Sequence, residues 1–429
     1  MTTELNAIAF KAQTHPKHRF QNLYGMLNSD LLYRGWAALN KQSVAGIDGV
    51  TAEQFKQRLP ENINAIAHRL KRNLYRTNDV KRVYIPKSNG KERPLGLPTL
   101  EDKLVQQTVS EILQSIWEQD FLPNSYGYRP QKSAHKAIKS LQLNLQYNRY
   151  GYIVEADIKG FFDNMDHAWL MRKLEQRIDD QRILTLINQW LKAKIVEPNG
   201  LKHKPVSGTP QGGVISPVLA NIYLHYGLDL WFEKRVKPKL KGNAMLIRYA
   251  DDFVVAFQYR DEARDFYNAL GKRLEQFNLS LATDKTSMKR FNRFHPNLEN
   301  RFTFLGFDFY WDTDYQGKAR VRRRTSRKKH KASIKAFSDW IKLNRHRRLN
   351  RFMPELKRKM IGYCNYFGFP DNSLSLARVN DTILHSLFKW LNRRSQRRSF
   401  NWNGLLDMLR YFQIKPMRVS HREIAVDWY

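Results

Sequence analysis

Leu246-Ile-Arg-Tyr-Ala-Asp-Asp-Phe-Val-Val-Ala256 carries two short apolar runs, 245–249 and 253–257, parted by Ala250-Asp251-Asp252. Two β-like runs around a tight polar turn predict a β-hairpin with a carboxylate pair at its tip. Upstream, Tyr152-Ile-Val-Glu-Ala-Asp-Ile-Lys-Gly-Phe-Phe162 reads as a strand from Gly151 to Ile158 that ends near Asp157. Carboxylates at a strand end and in a hairpin turn can converge on metal ions, and paired metals can drive nucleotidyl transfer.

The surrounding chain suits a polyanion. Of its 429 residues 74 are Lys or Arg and 40 are Asp or Glu, a formal charge of +34. A charge of that size calls for a polyanionic partner. With 42% apolar residues and 10 Trp the chain is not composed like a disordered one. Beside the carboxylate clusters, this composition points to a nucleic-acid polymerase. Cys364 is the only cysteine, so neither an internal disulfide nor a Cys-based zinc site is expected. The first ten residues lack the apolar stretch of a secretory signal. No run approaches the ~18 apolar residues of a membrane span. A reducing interior compartment is the expectation.

Working outward, residues 1–50 are polar and helical in part. Thr51 is a plausible N-cap with Glu53 nearby, and Phe55, Leu59, Ile63, Ile66 and Leu70 then mark a helix face. Val83-Tyr-Ile-Pro-Lys87 is β-like, with a turn at Ser88-Asn-Gly90. Helices are predicted over 101–118, 131–146, 167–176 and 181–193, and one from Pro217 towards Phe232. Ala263, Phe266, Leu270, Leu274 and Phe277 mark another, and Arg301–Tyr310 reads as a final hairpin strand. This mixture of helices with an antiparallel sheet is α+β. Near residue 315 the pattern changes. Arg320 to Lys331 holds eight basic residues in twelve and is read as a nucleic-acid surface. Beyond it the pattern is helical, over 328–344, 350–362, 375–391 and 402–412.

Seven ordered blocks carry a family likeness: Gly46-Ile-Asp-Gly49; Ile85-Pro-Lys87 with Arg93-Pro-Leu-Gly96; Ser125-Tyr-Gly-Tyr-Arg-Pro130; Asp157-Ile-Lys-Gly-Phe-Phe-Asp163; Gly208-Thr-Pro-Gln-Gly-Gly-Val-Ile-Ser-Pro217; Tyr249-Ala-Asp-Asp252; and Phe304-Leu-Gly-Phe307, reached after Lys285. With them, from about Gly46 to about Leu391, the chain resembles the group II intron-encoded reverse transcriptases, or intron maturases. The resemblance implies a right-hand polymerase, with fingers and palm over 1–315 and a helical thumb or maturase domain with a basic tail over 316–429. Many members add an HNH endonuclease with paired cysteines. This chain ends at Tyr429 with one cysteine, so the expectation is the kind without that domain.

The resemblance also assigns roles. Asp157 and Asp251 would bridge two Mg²⁺ ions, since all-oxygen ligation suits that metal. Asp252 would bind through water or hold the hairpin, and the backbone carbonyl of Ile158 would complete one ion's shell. Lys87 and Arg93 would reach the triphosphate of the incoming dNTP, and Lys285 would protonate the leaving pyrophosphate. Phe162 would lie beneath the sugar and exclude ribonucleotides; the alternative is that Phe162 is core and Phe161 is the gate. Gln211 would contact the nucleotide and the template edge, and Tyr249 would pack by the primer terminus. Arg129 either meets template phosphates or holds its own loop. Tyr363, Tyr366 and Phe367 are expected to pack thumb helices.

The implied partners are an RNA template, a DNA primer, dNTPs and a structured intron RNA, with a DNA target and a homodimer as options and no membrane. The implied setting is a bacterial cytoplasm, in association with RNA or the nucleoid. The implied activity is RNA-directed DNA synthesis joined to help in intron splicing and retromobility. Two alternatives stand beside it: a domesticated reverse transcriptase in DNA repair or phage and CRISPR-linked defence, and an inactive RNA-binding maturase. The intact aspartates and the Thr209-Pro-Gln-Gly212 block speak against inactivity.

Overall fold

The computed structural model describes residues 3–86, 90, 92–294, 300–395 and 399–420. The predicted hairpin forms from strands Ala244–Tyr249 and Asp252–Phe257, with Tyr249 opposite Asp252. Ala250 makes the turn in the left-handed region at φ 56°, which is uncommon for a residue other than Gly. Strand Tyr152–Asp157 pairs antiparallel with Asp252–Phe257 and sets Asp157 directly opposite Asp252. Ile153, Val154, Ala156, Val254, Val255 and Ala256 are all buried. Burial on both faces explains why these strands read as continuous apolar runs rather than as alternation. Helix Arg260–Glu275 buries Ala263, Phe266, Leu270 and Leu274, as its spacing predicts.

Two further helices contribute to the same buried core. Leu100–Trp117 is almost wholly buried and starts at Thr99, whose side chain accepts from the Asp102 backbone. Ser216–Leu224 begins with Pro217 in its first turn, as expected. Beyond Leu224 the chain continues in wide π-type turns, His225–Asp229 and Phe232–Val236. Such turns place extra backbone within a helix and often mark a functional need. Thr51 is an N-cap with Gln54 completing a reciprocal capping box, and Glu53 lies in the first turn. The face from Phe55 to Leu70 is split between helices Ala52–Gln57 and Leu59–Lys71. A second four-stranded sheet holds strand Val80–Pro86 antiparallel to Glu92–Leu97, with Ile85 opposite Arg93.

The chain divides into two compact units. One is Met1–Ala137 with Tyr152–Met288; the other is Ile138–Gly151 with Lys289–Tyr429. The hairpin, strands and helices just described all lie in the first, and helix Ala134–Tyr147 crosses the boundary. In the second, the expected single strand 301–310 is two strands, Phe302–Phe304 and Phe307–Thr313. Leu305 and Gly306 both take positive φ and reverse the chain between them. The reason is packing: Phe302, Phe304, Phe307 and Phe309 are all buried, and Phe302 stacks on Phe309. A third strand, Ala319–Thr325, pairs with Phe307–Thr313.

That third strand takes up the first half of the basic run. Arg323 is 1% exposed; it approaches Asp371 and lies over the Phe369 ring. Arg320 and Arg322 pair with Asp314 and Asp312. The expected nucleic-acid surface is therefore, in this half, partly a structural strand. Helices Arg327–Asn344, Leu349–Phe367, Ser373–Leu391 and Trp402–Tyr411 follow. Tyr363 and Phe367 pack in an aromatic cluster with Phe337 and Phe307, and the Tyr366 hydroxyl donates to the Leu305 carbonyl.

Candidate active site

The register brings the carboxylates together within the first unit. Asp157 ends its strand opposite Asp252, and Asp251 occupies the turn one residue earlier. Burial first, then the neighbouring Asp157 carboxylate, push the Asp251 pKa above the ordinary carboxylate range, while Arg93 and Lys285 oppose the rise. The Lys285 ammonium donates to Asp157 Oδ2 and is itself held above its ordinary pKa by that bond. Lys285 is fixed by its turn, where its backbone N–H donates to the Ala282 carbonyl at 2.9 Å. Ala282 N–H in turn donates to the Asp157 carbonyl at 2.8 Å. The side chain of Ile158 is core, and its backbone runs antiparallel to Leu281.

Among the described residues no group of three or more His, Cys, Asp and Glu side chains is close enough to hold an ion unaided. The donor chemistry nonetheless fits a hard dication. Hard carboxylate oxygens repel one another here, and a single ammonium already stands against Asp157.

The hairpin turn is held from below by a buried charge network. Arg248 and Asp229 are both 0% exposed and form a two-bond ion pair at 2.8 and 2.6 Å. Arg248 also donates to the Ala250 carbonyl, to Asn221 Oδ1 and to Ser125 Oγ. The loop from Ser125 lies directly on the turn: a Cβ on Gly127 would sit 2.3 Å from the Ala250 nitrogen. Only glycine permits that approach. One signal for this network was in the sequence, an arginine inside an apolar strand, since a buried charge must have a partner. Which partner it has, the sequence does not say.

Arg129 holds its own loop. It is nine-tenths buried and donates three bonds to Glu118 and others to the Leu122 and Ser125 carbonyls. Tyr128, beside it, was not among the expected site residues. Its φ is 56°, it is half-exposed, and its ring lies 6.5 Å from that of Tyr249. Burial raises its hydroxyl pKa, and the nearby Asp251 adds to the rise.

Arg93 Nε donates to Gln211 Oε1 at 2.8 Å. The Arg93 charge lowers the pKa values of Asp251 and Tyr128 against the rise that burial causes in each. Lys87 lies outside the described residues. Phe161 and Phe162 follow the left-handed Gly160 and are 2% and 8% exposed, with their rings edge to face at 5.4 Å. Both are buried, Phe161 more fully, with its ring 6.2 Å from Tyr223.

Residues 85–309 match the family model described as reverse transcriptase (RNA-dependent DNA polymerase). The chain is 31% identical to protein YkfC of Escherichia coli (strain K12) over 354 residues, 73% of this chain and 89% of that protein. It is 41% identical to the group II intron-encoded protein LtrA of Lactococcus lactis subsp. cremoris over 226 residues, 52% of this chain and 37% of LtrA. It is 34% identical over 215 residues to a 91 kDa protein in the cob intron of Schizosaccharomyces pombe, covering 26% of that protein. The chain thus spans most of the first relative and well under half of the other two. Among the described residues no helix is long and apolar enough to cross a membrane.

Proposed function

This chain belongs to the reverse transcriptase family of RNA-dependent DNA polymerases, and on that premise we propose that its first compact unit extends a primer 3′-hydroxyl with dNTPs at the Asp157–Asp251 site. The observation that carries the reading is the convergence of Asp157 and Asp251 with Arg93 and Lys285 around them. Asp157 and Asp251 would hold Mg²⁺, with Asp252 beside them. When bound, the metal lowers the pKa of the attacking hydroxyl and screens the triphosphate. Arg93 neutralises triphosphate charge with a directional donor set. Lys285, held protonated by Asp157, would give a proton to the departing pyrophosphate. Phe162 faces the sugar and restricts its 2′ side. Arg248 and Gly127 keep the turn, and so Asp251, in one position.

The test is primer extension on an RNA template with dNTPs and Mg²⁺. Asp157→Ala and Asp251→Ala should each abolish extension, as should a chelator, while RNA affinity stays near the parent's. Extension by either variant at the parental rate would show that the site is misplaced.

A second activity, binding of a structured intron RNA, is supported by the second unit. There Lys342, Arg345, Lys389 and Arg393 all lie within 5.2–5.6 Å of the centre of the Trp390 ring. Neither 342–351 nor 385–395 contains a single Asp or Glu. Four like charges gathered around one indole suit an RNA backbone, whose phosphates would offset their repulsion. The names of LtrA and the cob intron protein point the same way. A bacterial cytoplasm, where such an RNA is made, is the matching location.

A further inference from the structure

Asp163 closes the block that begins with Asp157, yet nothing in the polymerase chemistry above uses it. It is exposed, and a carboxylate near a triphosphate site would repel the substrate unless it served something else. Gln211 Nε2 lies 3.5 and 3.4 Å from its two oxygens, so the amide faces the carboxylate as donor. The other end of that amide, Oε1, accepts from Arg93 Nε at 2.8 Å. An Asn or Gln amide has two orientations, and the partners around it decide between them. Arg93 can only donate and the Asp163 carboxylate can only accept. Together they permit one orientation, Oε1 to Arg93 and Nε2 to Asp163.

The backbone around this chain of three is set without freedom. Gly96 N–H donates to the Gln211 carbonyl at 2.8 Å, which ties the Arg93 strand to the Gln211 loop. A Cβ on Gly212 would stand 2.7 Å from the Gly96 carbonyl oxygen, and Gly212 has φ 125°. A Cβ on Gly208 would stand 2.6 Å from the carbonyl oxygens of Phe162 and Asp163. Ser207 Oγ donates to the Asp163 carbonyl at 3.0 Å, and Thr209 N–H donates to the Phe162 carbonyl at 2.7 Å. The three side chains therefore hang from three segments locked together by their main chains. The Arg93 bond uses Nε, so both Nη groups stay out of it.

We propose that Asp163 is a positioning residue for the incoming nucleotide: through Gln211 it fixes the guanidinium of Arg93 so that its terminal nitrogens meet the triphosphate. This rests on the reading of Arg93 as a triphosphate ligand. Asp163 itself touches no substrate. Its role is to decide which way the Gln211 amide points, and that decides whether Arg93 finds an acceptor or a repelling N–H.

The experiment is steady-state primer extension with varied dNTP, alongside measurement of RNA–primer affinity. Asp163→Ala is expected to raise the dNTP KM about three- to tenfold, the scale of one or two solvent-accessible hydrogen bonds. Its kcat and its RNA–primer affinity should stay near parental values. Asp163→Asn keeps an acceptor oxygen and should lie close to the parent. Gln211→Glu keeps an acceptor for Arg93 but sets a second carboxylate against Asp163, so its KM should rise. Asp163→Asn combined with Gln211→Glu should recover most of that loss, because an amide at 163 can donate to a carboxylate at 211. A parental KM in Asp163→Ala, or a Gln211→Glu defect that is equal in both backgrounds, would overturn the relay. Arg93→Ala separates the two levels. If it is impaired while those results appear, the relay alone falls. If it has the parental dNTP KM, the assignment of Arg93 falls and the relay falls with it.

Discussion

At the scale of single residues, the two phenylalanines after Gly160 make the sharpest contrast. Phe161 is 2% exposed and packs towards Tyr223; Phe162 is 8% exposed and is the proposed gate beside the sugar. Truncating a fully buried Phe costs about 3–5 kcal/mol through lost transfer energy and the cavity left behind. Phe161→Ala should therefore lower the melting temperature sharply and keep the choice of sugar in whatever folded enzyme remains. Phe162→Ala should be milder in stability and should admit ribonucleotides far more readily. Parallel thermal melts and competition between dNTPs and NTPs distinguish the two. A swap of these outcomes would move the gate by one residue. The sequence placed both rings next to Asp157 and left their order of burial open, because that order depends on Tyr223 from a distant helix.

At the scale of elements, the hairpin was legible from residue order and its support was not. Two apolar runs and a polar turn sufficed to predict strands Ala244–Tyr249 and Asp252–Phe257. That Arg248 sits under the turn at 0% exposure, paired with Asp229 and bonded to the Ala250 carbonyl, needs contact between segments 19 to 123 residues apart. Removing one member of a buried ion pair costs about 3–5 kcal/mol, because the other charge is left without compensation. Arg248→Ala should show a loss of that size in chemical denaturation, and Asp229→Ala a similar one. The double variant should lose less than the sum. Strict additivity would mean that the pair is not what holds the turn. The same limit explains the strand expected over 301–310. Its β character was read correctly, but the reversal at Leu305-Gly306 comes from how Phe302 and Phe309 stack.

At the scale of the whole molecule, a net charge of +34 predicts steeply salt-dependent nucleic-acid binding. The structure sorts that charge. Arg129, Arg177, Arg248 and Arg323 are buried and serve the fold. The four cations around Trp390 lie along chain segments with no acid among them. Replacing Lys342, Arg345, Lys389 and Arg393 with Gln should weaken RNA binding. It should also flatten the slope of log affinity against log salt by about three units, at ~0.7–0.9 for each phosphate no longer neutralised. The rate of primer extension at saturating RNA should stay near the parent's. An unchanged salt slope would show that these cations face no phosphate. The chain's own division into compact units falls at Met288, with Ile138–Gly151 in the second unit. The expected boundary at 315, between fingers and palm over 1–315 and a thumb over 316–429, would part strand Phe307–Thr313 from its partner Ala319–Thr325.

The sequence alone determined what local order can encode: the periodicity of the helices, the carboxylates at strand ends, the hairpin, the polymerase blocks and the charge. Each of these is written in neighbouring residues, and backbone geometry and side-chain type convert them directly into elements. Tertiary structure alone decided which cations face solvent and which are held in internal pairs, which of the two phenylalanines is the more deeply buried, and that Asp163, Gln211 and Arg93 meet. Those facts depend on distances between segments far apart in the chain. Such distances are fixed by close packing and by the need of every buried polar group for a partner, neither of which can be read from a residue's neighbours in sequence.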